Sequence, residues 1–187
     1  MRITGGTLRG RIIQTQRLRS ARPTTDRARE TIFNIIVNML DIESTRVLDI
    51  CAGSGALSFE ALSRGASEAV LIEAARTNVT EIRSNATAFN CNDAMHIITG
   101  KAPQIFLSKH FAPYSLQSFD IIFCDPPYKL LLLNSIVNEV IRGNLLRRGG
   151  IFVAEHGQFE RILCPPVWHQ YATRNMGETI IDFFVFQ

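Results

Sequence analysis

From Arg46 to Glu155 the chain alternates short apolar runs with helical stretches, and this alternation limits the folds open to it more than any other feature. The runs are RVLDI (46–50), EAVLIE (68–73), MHII (95–98), FDIIFC (119–124) and GIFVAE (150–155). Helical spacing falls between them, near 56–64, 75–89, 102–110 and 131–142. Strands separated by helices need crossover connections, which leave a mostly parallel sheet with helices on both faces. The ending breaks the pattern. VWHQYATR (167–174) and ETIIDFFVF (178–186) flank the turn signal Asn175-Met176-Gly177, with no room for a helix. They predict an antiparallel hairpin at one edge of the sheet. Alternation puts Phe184 and Phe186 on one face of the last strand and Phe183 on the other, as in a sheet covered on both sides.

Ahead of the alternating region the chain has a different character. Residues 2–13 (RITGGTLRGRII) carry glycines between short apolar segments and predict a small hairpin. Residues 14–22 are a polar, basic link, and a helix is expected to start near Pro23-Thr24-Thr25-Asp26. Ala28, Ile32, Ile35, Ile36 and Met39 recur at helical spacing and predict a buried stripe. The division expected is a basic arm over 1–22 and one domain over 23–187. The first 30 residues hold eight arginines against Asp26 and Glu30, a net +6, while the remainder is −3. Guanidinium groups bind phosphate through two parallel hydrogen bonds and stack on bases, so an arginine-only arm points to nucleic acid. Arg9, Arg11, Arg22, Arg27 and Arg29 are the candidate RNA contacts. Arg147-Arg148 read as the charged end of a helix or as an extension of the RNA surface.

Other classes are set aside by composition. No apolar run is long enough to span a bilayer, and the N-terminus shows no secretory pattern, so no membrane partner and a cytoplasmic location are expected. The four cysteines are far apart without a C-x-x-C pair, and the four histidines show no ligand spacing, so no metal is expected.

Two loops carry the chemistry. The first strand runs into Asp49-Ile50-Cys51-Ala52-Gly53-Ser54-Gly55. Gly53 and Gly55 let the backbone turn sharply and let a ligand approach closely. Glu73 ends the second strand, about 20 residues on, where a carboxylate can accept ribose hydroxyls. The third glycine of a dinucleotide fingerprint is replaced by Ser58. S-adenosylmethionine (SAM), which has no phosphate, therefore fits better than NAD, with Asp49 near its cationic tail. Together with the terminal hairpin, these loops outline a class I SAM-dependent methyltransferase, a Rossmann-like α/β sheet of seven strands with a small N-terminal hairpin and helix extension. An acid or Asn often follows the third strand in such enzymes. Here the place reads Gly100-Lys101-Ala102, so the adenine is assigned to backbone groups near Lys101 and Ala102, or the cofactor binds more weakly.

The second loop, Asp125-Pro126-Pro127-Tyr128, ends the fourth strand. Two prolines stiffen it and remove two amide donors, so it presents carbonyl oxygens. A carboxylate and a free carbonyl match the two N–H donors of an exocyclic amino group, and Tyr128 offers a ring to an extruded base. Asp125, Pro126 and Tyr128 are the candidate catalytic residues.

These motifs resemble the RsmD-type 16S rRNA guanine-N2 methyltransferases. The resemblance begins at Arg2-Ile3, Gly5-Gly6 and Arg9-Gly10-Arg11. It is most specific at Arg22-Pro23-Thr24-Thr25-Asp26-Arg27-Ala28-Arg29-Glu30 with Phe33-Asn34. It continues through Asp49–Leu57, Glu60–Ala66, Leu71-Ile72-Glu73 and Asp125–Tyr128. It implies methylation of a guanine N2 in 16S rRNA, presented by a partly assembled small subunit, with no obligate protein partner. It also implies that Asp49, Gly53, Gly55 and Glu73 hold SAM, that Asp125 and Tyr128 hold the guanine, and that the arm's arginines hold RNA. Three rivals stay open: an amino-group methyltransferase acting on adenine N6 or a protein glutamine, a non-catalytic RNA-binding assembly factor, and an NAD dehydrogenase.

Overall fold

A computed structural model describes residues 1–15, 26–114 and 117–187. The strands are β1 (Arg46–Ile50), β2 (Glu68–Glu73), β3 (Met95–Thr99), β4 (Phe119–Cys124), β5 (Leu146–Gly157), β6 (Trp168–Met176) and β7 (Thr179–Phe186). The helices are α1 (Asp26–Ile36), α2 (Ala56–Ser63), α3 (Arg76–Ala88) and α4 (Leu133–Arg142). All seven strands join one sheet in the order β3-β2-β1-β4-β5-β7-β6. The first five are parallel, and β7 runs antiparallel to both β5 and β6. This is the class I SAM-dependent methyltransferase architecture with its C-terminal antiparallel hairpin.

Apolar residues on both faces of the strands give the sheet two cores. Val47, Leu71, Ile121, Phe123, Val153 and Phe183 pack with α1, α2 and α3. Leu48, Ile50, Ile72, Ile122, Phe152 and Phe184 pack with α4. Phe183 and Phe184 thus serve opposite faces, as alternation requires. Each such fully buried side chain contributes about 1.5–3 kcal/mol relative to exposure.

The N-terminal hairpin is docked on the first of these cores. Arg2 and Ile12 form an antiparallel bridge, and Ile3 and Ile13 are buried with α1 and α2. Thr4 donates to the Glu60 carboxylate through its amide at 2.8 Å and its hydroxyl at 2.7 Å. Asn85 exchanges two hydrogen bonds with the Gln14 backbone. The expected stripe of α1 is buried at Ala28, Ile32 and Ile36, while Ile35 and Met39 are half-buried.

Two local expectations are corrected. The stretch 102–110 holds only a 3-10 turn, Gln104–Leu107, with Pro103 just ahead of it. Arg147-Arg148 do not end a helix. Helix α4 stops at Arg142, and both arginines lie in β5, where Arg147 pairs with Asp120. The helix start expected over Pro23–Thr25 lies outside the described residues, as does Arg22.

Candidate active site at the carboxyl edge of the sheet

The strand order reverses between β1 and β4, and ligands of open α/β sheets bind outside the strand ends at such a switch point. Ile50 and Cys124 are register partners there. The two loops meet directly, since the Asp125 amide donates to the Ile50 carbonyl at 3.2 Å. The two-residue repeat that puts Val47, Leu71 and Val153 on the α1–α3 face carries Asp49, Glu73 and Glu155 to the same face. Asp125 follows β4 by one residue and feels the charges of Glu155 and Asp49. The carboxyl edge therefore bears acids from four neighbouring strands.

The glycine loop is held in shape by the protein's own atoms. Cys51, Gly53 and Gly55 all take positive φ, at 64°, 57° and 73°. At Gly55 the need is steric as well, since an added Cβ would lie 3.2 Å from Leu71. At Gly53 an added Cβ would meet nothing closer than the Cys51 carbonyl at 4.0 Å, so the loop's outer side is open to a ligand. Glu73 accepts from the Gly53 amide at 2.7 Å with one oxygen and from the Ala75 amide at 2.7 Å with the other. The Ala52 amide donates to the Ile72 carbonyl at 3.0 Å, which ties the loop to β2.

Asp49 is 2% exposed and accepts from the Ser58 hydroxyl at 2.7 Å. Burial raises its pKa to about 6, against the hydrogen bonds from Ser58 and with help from the charge of Glu73. Lost hydration and three nearby acids, Glu73, Asp125 and Asp49, push the Cys51 thiol to about 12. It is a packing group rather than a nucleophile.

In the second loop, desolvation and the negative charges of Glu155 and Asp49 hold the Asp125 carboxyl well above the usual carboxylate range, although the residue as a whole is only half-buried. Tyr128 begins a short 3-10 turn, Tyr128–Leu130. Its hydroxyl donates to Glu155 at 3.0 Å and lies 3.2 Å from the Thr179 hydroxyl. Its ring lies against Gly157, where an added Cβ would come within 3.2 Å of it. Burial and the charges of Glu155 and Asp125 push the Tyr128 phenol up. Sequence reading missed Glu155, Thr179, Gly157 and Ser58. Glu155 had a visible signal, as an acid ending a buried strand beside the one that leads into Asp125.

The remaining candidates are scattered. Lys101 is exposed and Ala102 buried, and the Lys101 carbonyl already accepts from the Ile105 amide at 2.9 Å. Arg9, Arg11 and Arg27 are exposed. Arg11 donates to the Ala88 carbonyl at 2.9 Å and lies over the Phe89 ring. The hairpin's turn packs on Ser63, the far end of a helix that begins at the glycine loop. Arg9 and Arg11 thus sit towards the amino edge of the sheet. Arg27 is in the first turn of α1. Arg29 is withdrawn from the phosphate-binding set. It is 0% exposed, and its guanidinium donates to the Arg2 carbonyl at 2.7 Å and to Asp26 at 2.5 Å. It fastens the hairpin to α1. Among the described residues, no group of three or more His, Cys, Asp or Glu is placed to hold a metal ion.

Comparison with known proteins agrees with this geometry. The solved structure of the Escherichia coli protein yhhF superposes with a TM-score of 0.86 at 28% identity, over 100% of this chain and 98% of that one. An RNA methyltransferase from Salinibacter ruber, solved with S-adenosyl-L-homocysteine, shares the fold alone: TM-score 0.62, 13% identity, 88% of this chain and 94% of the other. Ribosomal RNA small subunit methyltransferase D from Haemophilus influenzae is 28% identical over 187 residues, covering 100% of this chain and 93% of the relative. The model of the family described as conserved hypothetical protein 95 matches residues 1–185. The chain belongs to that family, the RsmD-type methyltransferases that its motifs resemble.

Proposed function

We propose that this protein transfers a methyl group from SAM to the exocyclic N2 amino group of a guanine in small-subunit ribosomal RNA. The observation that carries the reading is the meeting of the glycine loop and the Asp125–Tyr128 loop at the sheet's switch point, joined by the Asp125–Ile50 hydrogen bond. The relative that names the substrate is the Haemophilus influenzae methyltransferase.

SAM fits the residues present. A row of acids suits a cofactor with two cationic groups and would repel a pyrophosphate. In this reading Asp49 holds a cationic group, and Ala52, Gly53 and Gly55 cradle the nucleoside from the backbone. Glu73 takes the ribose hydroxyls while keeping its bonds to the loop, and Lys101 and Ala102 line the adenine with backbone atoms. When bound, SAM supplies an electrophilic methyl group for in-line displacement.

The chain's own residues then aim the acceptor. Pro126 and Pro127 contribute no amide donor, so the loop offers the Asp125 carboxylate and the Pro126 carbonyl to the two N–H groups of the base. Tyr128, clamped at its hydroxyl by Glu155 and Thr179 and on its ring by Gly157, presents a fixed surface to that base. As the nitrogen gains its new bond it sheds a proton. A carboxyl held above the ordinary range is a better acceptor for it than a fully solvated one. Positioning by such a rigid loop is worth roughly 7–11 kcal/mol in well-oriented intramolecular reactions. Arg9, Arg11 and Arg27 contact RNA phosphates in this reading, and the substrate is a partly assembled small subunit in the cytoplasm.

The test is methyl transfer from labelled SAM to small ribosomal subunits isolated from cells lacking this protein, followed by nucleoside analysis. The expected product is N2-methylguanosine. Label in N6-methyladenosine or in protein would replace the acceptor. Absence of SAM binding by calorimetry would leave a non-catalytic assembly factor. Asp125→Ala should lower transfer roughly 100-fold or more while SAM still binds, and an active Asp125→Ala enzyme would remove the catalytic assignment.

A further inference from the structure

Two loops beside the catalytic tetrapeptide carry a surface that the chemistry above does not use. After Tyr128 the chain passes through Lys129, Leu130 and Leu131 before α4 begins at Leu133. After β5 it passes through Gln158 to Cys164. The loops are locked side by side. Glu160, buried, accepts from the Leu133 amide at 2.9 Å. Asn134 donates to the Arg161 carbonyl at 2.9 Å and accepts from the Leu163 amide at 2.8 Å. Gly157 lies under the Tyr128 ring.

Their exposed side chains are mostly apolar or cationic. Phe159 is 98% exposed, Leu163 78%, Leu130 61% and Leu131 58%. Lys129 and Arg161 are exposed on the same loops. The one acid of these segments, Glu160, is turned inward and 6% exposed. An aromatic ring left in water on a braced loop, with cations flanking it and no exposed acid, has the make-up of a single-stranded nucleic-acid platform. Phe and Arg also suit protein interfaces, but Lys is depleted there, and the exposed cations of these loops, with no exposed acid among them, match a phosphate backbone. Lys129 directly follows Tyr128, and Gly157, against the Tyr128 ring, leads into the Phe159 loop, so both loops adjoin the place given to the extruded base.

We propose that Phe159 stacks on a base flanking the methylated guanine, and that Lys129 and Arg161 hold the adjacent phosphates. The occupant is single-stranded RNA. The inference rests on the functional reading above, and it adds a binding surface separate from the N-terminal arginines.

The test measures filter-retention binding of protein-free 16S rRNA without SAM across a salt series, alongside steady-state methylation of RNA and of subunits. Phe159→Ala should weaken RNA binding and raise the KM for RNA roughly ten-fold, the scale of one lost base stack. SAM affinity, kcat and Tm should be unchanged. Phe159→Trp should restore binding, and Phe159→Leu, apolar but unable to stack, should not. Lys129→Ala with Arg161→Ala should lower the salt slope by about 1.4, two phosphate contacts on a single strand.

Wild-type affinity in Phe159→Ala would overturn the proposal, as would full rescue by Leu. Loss confined to protein-bearing subunits, with naked RNA bound normally, would assign the surface to a protein and overturn it too. Failure of the functional reading is distinct: wild-type protein would then transfer no methyl group to RNA, while the binding comparison between variants still decides the platform.

Discussion

Asp49 is a carboxyl group kept where its charge is costly. It binds its proton more tightly in the folded protein than in the unfolded chain, with a pKa raised from 3.8 to about 6. The stability this contributes is present below 3.8 and lost as pH rises through about 6, so the ionised group is a cost at neutral pH. A displacement of this size corresponds to roughly 3 kcal/mol as a ceiling. Asp49→Asn keeps an acceptor for Ser58. It should raise the melting temperature at pH 8, leave it unchanged near pH 4, and weaken SAM binding by calorimetry. Equal melting shifts at both pH values would show that the charge is not the cause. Asp125 makes a related case through its neighbour. Glu155→Gln removes a like charge but leaves a carbonyl for the Tyr128 hydroxyl, so the Asp125 pKa should fall. The acid limb of the pH–rate profile should then move to lower pH while the alkaline side stays in place.

The tie between β5 and β7 shows how one element depends on another. His156 places Nε2 3.0 Å from Asp182 and Nδ1 2.9 Å from the Gly157 carbonyl. Both partners only accept, an arrangement that favours a proton on each ring nitrogen and so the cationic form. Burial alone would lower its pKa, but the hydrogen bond and charge of Asp182 and the Gly157 carbonyl outweigh it and raise it above 6.5. Burial alone would likewise raise Asp182, but the bonds from His156 and Thr173 outweigh it and lower it below 3.8. The pair's contribution is lost as pH rises through the folded His156 value, and lost as pH falls through the folded Asp182 value. Asp182→Asn should therefore destabilise by about 3 kcal/mol at pH 6, and the difference in denaturant midpoint should shrink in alkaline buffer. At this scale the sequence was readable where one segment carried its own pattern. The strands showed two-residue alternation, the glycine loop showed its positive-φ residues, and Pro-Pro showed its stiffness. What depended on partners far along the chain was not readable. The Tyr128 clamp needs Glu155 and Thr179, and the β5 extension that takes in Arg147 needs Asp120. Arg29 was legible in principle, because it falls at helical spacing with Ile32, Phe33 and Ile36 and so belongs to the buried stripe of α1. Its positive charge drew it into the RNA set instead.

For the molecule as a whole, Arg9 and Arg11 lie towards the amino ends of the strands, opposite the catalytic loops. A strand of five or six residues is about 17–20 Å long, so RNA that reaches them from the active site must follow the α1–α3 face rather than touch the active site alone. Replacing Arg9, Arg11 and Arg27 with alanine should reduce the salt slope of RNA binding by about 2 without changing SAM affinity. An unchanged slope would mean that this face does not meet phosphate. Arg29→Ala should act otherwise, lowering stability by loosening the hairpin from α1.

The strand order 5-7-6 bears on how the protein comes into being. Although β7 follows β6 in the sequence, it does not add to the outside of the sheet; it enters between β5 and β6. Until residues 179–186 have been made, β6 lacks its partner in the sheet, β5 presents an unpaired backbone edge, and Tyr128 lacks the Thr179 hydroxyl. Assembly of the catalytic edge therefore waits on residues 179–186. A chain still short of them carries an open, adhesive β-edge that the later docking of β7 covers.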